Sequence, residues 1–346
     1  MKFFLRVCLG LFIGLFLSLS LASLAGENPV HVFNVLFKSA FGSRYDLGLA
    51  LFYTSSLIFT GLSVSIAMHA GLFNIGAEGQ LTIGTLVATW VAISFPELSA
   101  GVGIPVAVMA GIAAGGIWGF IPGWLQAKRG SHEVIITMMM NFVAAAIANY
   151  VIFKLIRSEE SQNPESKAIS PQYLLSSFDF VQKFFTDSPA NLSLVLAIVI
   201  SILTYIFLYK TVWGYELRAS GSNQNASQLV GIPGKKWKIF AMTVAGALAA
   251  LVCVNEIFGS TGKFRLGFSP DYGFVGIAVA LLARSHPIGV IFSAFLFGIL
   301  QKGAADLDIE TEMITRDFAR VIQAILILSV IAAISFDKKI FRRFKK

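Results

Sequence analysis

What this chain can fold into is set by a succession of apolar runs long enough to cross a bilayer. A helix rises 1.5 Å per residue, so about 20 apolar residues span a hydrocarbon core of about 30 Å. Runs near that length recur at 3–25, 47–67, 79–95, 104–126, 133–156, 190–209, 238–258 and 318–336. Two shorter pieces, 273–284 and 287–301, are separated by Arg284-Ser285-His286-Pro287. They cross as two short tilted helices or form a re-entrant pair. The expected fold is therefore an all-α polytopic membrane protein, one domain over 1–346 with about ten spans, some short or broken. Only 13% of the 346 residues are charged, about half the usual share of a soluble domain, and the mean hydropathy is +0.75.

The formal net charge of +8 does not call for a nucleic-acid partner, because cytoplasmic loops and anionic lipid absorb it. Lys210, Arg218, Lys235, Lys236 and Lys238 stand against Glu216 in 210–238, and six basic residues fill Asp337–Lys346. Both segments are expected in the cytoplasm, the tail gripping anionic lipid, which puts both termini inside. Lys2, Arg6 and the small residues at Ala22–Ala25 imitate a signal peptide. The apolar run exceeds the usual core of about 7–15 residues, so a retained first span is expected. Residues 26–46 read as external, with a short interfacial helix at Val32, Val35, Leu36 and Phe41. Residues 157–189 read as an external loop with one amphipathic helix near Tyr173–Phe185.

The stretch Gly71–Gly84 does not suit a lipid-facing helix. It holds Gly71, Gly76, Gly79 and Gly84 with Asn74, Glu78 and Gln80 between them. A carboxylate and two amides beside hydrocarbon are costly unless paired or wetted. Two structures satisfy this: a tight turn with glycines for packing, or a discontinuous helix lining a polar pathway. The second makes Phe73, Asn74, Glu78, Gln80 and, from the fifth span, Asn141 candidate pathway residues, with Gly71, Gly76 and Gly79 breaking the helix. Pro287 marks a late break, read as the corresponding element of a second half. Asn141 and Asn149 also read as helix glue. Phe73, Phe142 and Tyr150 are candidates for stacking on a flat ligand. In the fourth span, Gly111/Gly115 and Gly115/Gly119 form small-xxx-small pairs for close helix contact.

In 210–238, Ser222 or Asn223 caps a short helix, Ala226, Leu229 and Val230 make an apolar stripe, and Gly231 and Pro233 end it. Such a stripe docks on a partner or packs back on the membrane face. Gly231–Lys236 and Gly259–Lys263 imitate phosphate loops without the required spacing, so the chain is not expected to bind ATP itself. Cys8 and Cys253 lie in apolar runs, and the four histidines show no metal spacing. With no catalytic set, metal site or cofactor implied, an enzyme is not expected. An ion-coupled secondary transporter remains open, with Glu78 or Glu256 as the carrier.

Four segments carry a resemblance. Ala70–Leu81 (AGLFNIGAEGQL), His132–Phe142 (HEVIITMMMNF), Gly214–Ile232 (GYELRASGSNQNASQLVGI) and Gly273–Val290 (GFVGIAVALLARSHPIGV) resemble, in order, motifs of ABC-transporter permeases of the nucleoside and simple-sugar type. This superfamily also holds ribose and branched-chain amino-acid permeases. The resemblance covers about residues 30–335 and implies a type II importer-like permease of a bacterial plasma membrane. It implies import of nucleosides, or of simple sugars or another small solute. It further implies ATPase subunits, a second permease subunit, identical or paralogous, and an extracytoplasmic solute-binding protein. On this resemblance Glu216, Arg218, Asn223, Ala226, Leu229, Val230 and Gly231 belong to the coupling loop that meets the ATPase.

Overall fold

The computed structural model describes residues 2–159, 161–175, 184–185 and 188–343. Among these residues thirteen α-helices follow one another and no strand forms. They are α1 (Lys2–Leu24), α2 (Pro29–Phe41), α3 (Arg44–His69), α4 (Ala77–Ser94), α5 (Ala100–Arg129), α6 (Glu133–Val151), α7 (Ser193–Lys210), α8 (Val212–Ser222), α9 (Gln224–Leu229), α10 (Gly234–Ala250), α11 (Tyr272–Leu282), α12 (Pro287–Glu310) and α13 (Arg316–Arg343). Helix α6 continues as a π turn over Ile152–Ile156, and α10 is followed by a π segment over Val254–Thr261. Among the described residues six helical stretches are long and apolar enough to cross a membrane: Arg44–His69, Ala100–Arg129, Glu133–Ile156, Ser193–Lys210, Gly234–Thr261 and Pro287–Glu310. Leu9–Leu24, Tyr272–Leu282 and Phe318–Val330 are shorter apolar helices.

The chain packs as two units, 54–294 and 1–53 with 295–346. In the smaller unit Gly10 and Gly14 of α1 lie against Val330 and Leu326 of α13, leaving no room for a side chain at Gly10. Asn28 caps α2 by accepting from Val30 N at 2.9 Å, and Val32 and Val35 are buried with Leu307, Ile322 and Leu326. The Lys302 ammonium, 4% exposed, is held by Asp46 at 3.1 Å and by Asp306 one turn on, which also accepts from Ser39 Oγ at 2.5 Å. These pairs let α12 run past the apolar piece 287–301 as far as Glu310: 302–310 contains no proline, and its buried cation is neutralised inside the unit. Most of the amphipathic helix expected near Tyr173–Phe185 falls outside the described residues. A single 3₁₀ turn forms at Pro171–Tyr173.

The larger unit is built around α3, in which every residue from Thr54 to Ala67 is buried. Beside it α5 and α10 meet along a seam of small residues. A Cβ placed on Gly115 would lie 2.6 Å from Gly246 O, and one on Gly119 2.2 Å from Met242 O. Gly111 faces α4 in the same way, with Gly84 O at 2.7 Å. Helix association in lipid rests on this close backbone approach, because apolar burial offers no gain over contact with lipid tails.

Candidate functional site

Helix α3 ends in a Schellman turn. Gly71 takes φ +74°, Leu72 N donates to Ala67 O at 3.0 Å and Gly71 N to Met68 O at 3.0 Å. The chain then doubles back without helix. Asn74 reaches the level of Ser63, six residues or about 9 Å back along α3, and donates to its Oγ at 3.2 Å. Helix α4 starts there, beside the last third of α3 and not at its end. Ala77 packs with Val64 of α3 and Ala280 of α11. Non-helical backbone at this depth must be satisfied by protein, and it is. Asn74 and Gln80 exchange two amide hydrogen bonds, of 2.8 and 3.1 Å, and Asn74 Oδ1 also accepts from Gly76 N at 3.1 Å. Asn141 of α6 accepts from Gly79 N at 2.9 Å and donates to Ile75 O at 3.0 Å.

The N-terminus of α11 meets the N-terminus of α4. Asp271 turns the chain at φ +63°, and Gly273 N donates to Glu78 Oε2 at 2.7 Å. A Cβ on Gly273 would fall 2.3 Å from Glu78 N, so the two backbones touch. One carboxylate thus serves the positive ends of two short helices. Glu256, in the π segment, accepts from Tyr272 Oη at 2.7 Å, and its neighbour Asn255 donates to Ser56 Oγ at 2.8 Å and accepts from Ser193 Oγ at 2.6 Å. The first turn of α11 is therefore held from α4 on one side and from the π segment on the other.

Beside this junction lies a cavity of about 280 Å³. Its polar wall includes Glu78, Asn141, Asn149, Ser269 and Asp271, and its apolar wall includes Phe264 and Phe268, whose ring centroids are 5.2 Å apart. Of the pathway residues expected from sequence, Glu78 and Asn141 line it. Asn74 and Gln80 are buried and bonded to each other, and Phe73 is half-buried outside it. Phe142 and Tyr150 are exposed on α6, at 68% and 64%. Sequence reasoning missed Phe264, Phe268, Ser269 and Asp271. The turn chemistry of Ser269-Pro270-Asp271, just ahead of Tyr272-Gly273, was the available signal. The loop carrying the two rings is clamped to 157–166. Glu165 pairs with Lys263 at 3.0 Å and Arg265 at 3.1 Å. The Lys263 ammonium, reinforced by Arg265, lowers the Glu165 pKa below the ordinary carboxylate value.

The other end of the break touches the 210–238 segment. A Cβ on Gly221 of α8 would lie 2.1 Å from His69 O and 2.7 Å from Gly71 N. His69 Nε2 donates to Ser285 O at 3.0 Å, in the late break where Arg284 and Ser285 both have positive φ. Pro287 opens α12, and its carbonyl accepts from Ser201 Oγ at 2.7 Å. Of the expected coupling residues, Glu216 accepts from Trp237 Nε1 at 3.0 Å, tying α8 to α10. Arg218 donates to Leu208 O at 3.0 Å and lies over the Tyr209 ring, tying α8 to α7. Asn223 caps α9 through Ala226 N at 3.0 Å, and Gly231 at φ +84° follows its end. Ala226 is exposed, as are Leu229 at 89% and Val230 at 74%.

Residues 47–331 match the family described as branched-chain amino acid transport system permease component. The chain is 36% identical over 309 residues to the nucleoside ABC transporter permease protein NupB of Lactococcus lactis subsp. cremoris, covering 88% of this chain and 84% of that one. It is 34% identical over 330 residues to the guanosine ABC transporter permease protein NupP of Bacillus subtilis, covering 94% and 91%. It is 33% identical over 317 residues to the glucose ABC transporter permease protein TsgB13 of Haloferax volcanii, covering 90% and 82%. No solved structure matches. Permease components of this kind are transport subunits and not enzymes; ATP hydrolysis sits in a partner. The chain belongs to the family of branched-chain amino acid transport system permease components, multi-pass membrane proteins of ABC transporters.

Proposed function

We propose that this permease imports nucleosides, and that the cavity at the meeting of α4 and α11 is where the solute passes. The observation that carries the reading is the pairing of walls in one cavity. Asn141, Asn149, Asp271 and Glu78 offer donors and acceptors for ribose hydroxyls, and Phe264 with Phe268 offers an apolar face for a base. Base–aromatic stacking contributes about 1–3 kcal/mol per base. That the relatives NupB and NupP are described as nucleoside and guanosine permeases supports the same substrate class.

In this reading the chain crosses a plasma membrane ten times with both termini in the cytoplasm. Segment 157–175 and the strap 262–271 face outward, where a solute-binding protein delivers its cargo. Helices α8 and α9 face inward, toward ATPase subunits, with Leu229 and Val230 seated on the ATPase. A second permease subunit, the same or a paralogue, completes the pathway. Movement of α8 is passed through Gly221 to the His69–Gly71 turn, along the seven-residue re-entrant segment (70–76), and so to Glu78. Release of Gly273 N from Glu78 then parts α4 from α11.

The test is uptake by the assembled transporter in proteoliposomes with its binding protein. Unlabelled nucleosides should compete with labelled guanosine, glucose should not, and Phe268→Ala should raise the concentration needed for half-maximal uptake by about tenfold. Competition by glucose with none by nucleosides would replace this substrate class with sugars, the class TsgB13 is described as carrying.

A further inference from the structure

The last turn of α5 carries Lys128, and the first turn of α10 carries Lys235 and Lys236. A cation at a helix C-terminus is favoured by the backbone field, whereas two at an N-terminus are opposed by it. Helix α10 has no acid in its first turn and no side-chain cap. Its two lysines nevertheless converge with Lys128 on one groove of about 510 Å³, floored by Pro233, Ile239 and Phe240. All three lysines are exposed, and none is within ion-pair distance of an acid among the described residues. The apolar floor does not stop at the groove. Phe240 packs on Phe207 at 5.8 Å, and α7 continues that face with exposed Leu203 and Ile206.

Both α5 and the α10 stretch are long enough to cross a bilayer, so a groove between the end of one and the start of the other sits at the height of lipid headgroups. A rim of uncompensated positive charge above an apolar floor that runs on along the helices has the form of a single phospholipid. We propose that this groove binds one anionic phospholipid, its phosphate among Lys128, Lys235 and Lys236 and an acyl chain against Ile239 and Phe240. The bound anion would also offset part of the unfavourable charge at the start of α10. The inference rests on the chain's place in a membrane and is independent of the solute it carries.

The experiment is native mass spectrometry of the purified full chain after reconstitution in equal parts phosphatidylcholine and phosphatidylglycerol. The wild type should retain phosphatidylglycerol through delipidation. The Lys128→Gln/Lys235→Gln/Lys236→Gln variant should lose that preference by about a hundredfold. Because the three side chains are exposed, the variant should keep its helical circular dichroism. A variant neutralised at Lys338, Lys339, Arg342 and Arg343 should keep the retained lipid, which separates this groove from general attraction by the tail. Retention unchanged in the triple variant, or lost in the tail variant, would overturn the proposal. Displacement of the lipid by millimolar inorganic phosphate would also overturn it, in favour of a free-anion site. Its expulsion when the ATPase subunit binds would overturn it in favour of a protein interface.

Discussion

Gly221→Ala is the sharpest probe of how the 210–238 segment reaches the cavity. The added methyl would sit 2.1 Å from His69 O, 2.6 Å from Ala70 C and 2.7 Å from Gly71 N. All three are backbone atoms, so no side chain can swing aside; ordinary contact requires α8 and the turn to separate by more than about 1 Å. Overpacking of this kind costs about 1–3 kcal/mol, which as a coupling energy corresponds to about 5- to 150-fold. The assay is solute taken up per ATP hydrolysed by the complete transporter in proteoliposomes, with the binding protein present. Gly221→Ala should assemble with its ATPase and hydrolyse ATP while that ratio falls within the range above. Gly101→Ala, where a methyl meets nothing within 4 Å, should behave as wild type. A wild-type uptake ratio in Gly221→Ala would refute the idea that this contact transmits the stroke.

The remaining predictions concern neighbouring parts of the same machine. Leu229→Asp places a charge on the exposed end of α9 and should uncouple hydrolysis from uptake without affecting insertion; normal uptake removes α9 from the ATPase interface. Glu78→Gln keeps an acceptor for Gly273 N, so transport should fall less than about tenfold with an unchanged pH profile. Abolished transport, together with gradient-driven uptake without any ATPase, would instead make Glu78 a proton carrier. Glu165 has a pKa lowered from its ordinary 4.5, so its contribution to holding the strap is complete above that value and is lost as pH falls through the lower folded one. Hydrogen exchange at the amides of Ser166 and Phe264 should therefore show the strap loosened in Glu165→Gln already at about pH 7, and in wild type only in acid. For sidedness, Lys167→Cys and Gln228→Cys, both at exposed positions, should be reactive and unreactive respectively toward an impermeant thiol reagent in intact cells; the reverse pattern changes the number of crossings before residue 167.

Apolar runs were legible as helices because apolar length is a one-dimensional signal, and the break at Gly71–Gly76 because glycines beside polar residues do not suit a lipid-facing helix; Gly79, expected to break the helix too, lies inside α4, which resumes at Ala77. The contents of the break were less legible. Asn74, Gln80 and Glu78 look alike in sequence as polar residues at membrane depth. Only packing separates the amide pair closed on itself from the carboxylate reaching another helix 195 residues away. The aromatic wall stayed hidden because Phe264 and Phe268 lie in a loop without periodicity, brought to the cavity by ion pairs from Glu165, about a hundred positions earlier. The continuation of α12 to Glu310 was obscured by charges that read as solvent-exposed until Asp46 supplied a partner.

The glycine seam also has a consequence in time. Arg129 closes α5 and Gly234 opens α10, so more than a hundred residues must be synthesised before any of α10 can reach the seam. At about 5–20 residues per second that is roughly 5–20 seconds. During that interval the grooved face of α5 is inserted without its mate, and lipid tails or a chaperone of the insertion machinery must cover it. Larger side chains along the seam would therefore do harm twice, first by hastening wrong pairings during insertion and later by barring the right one.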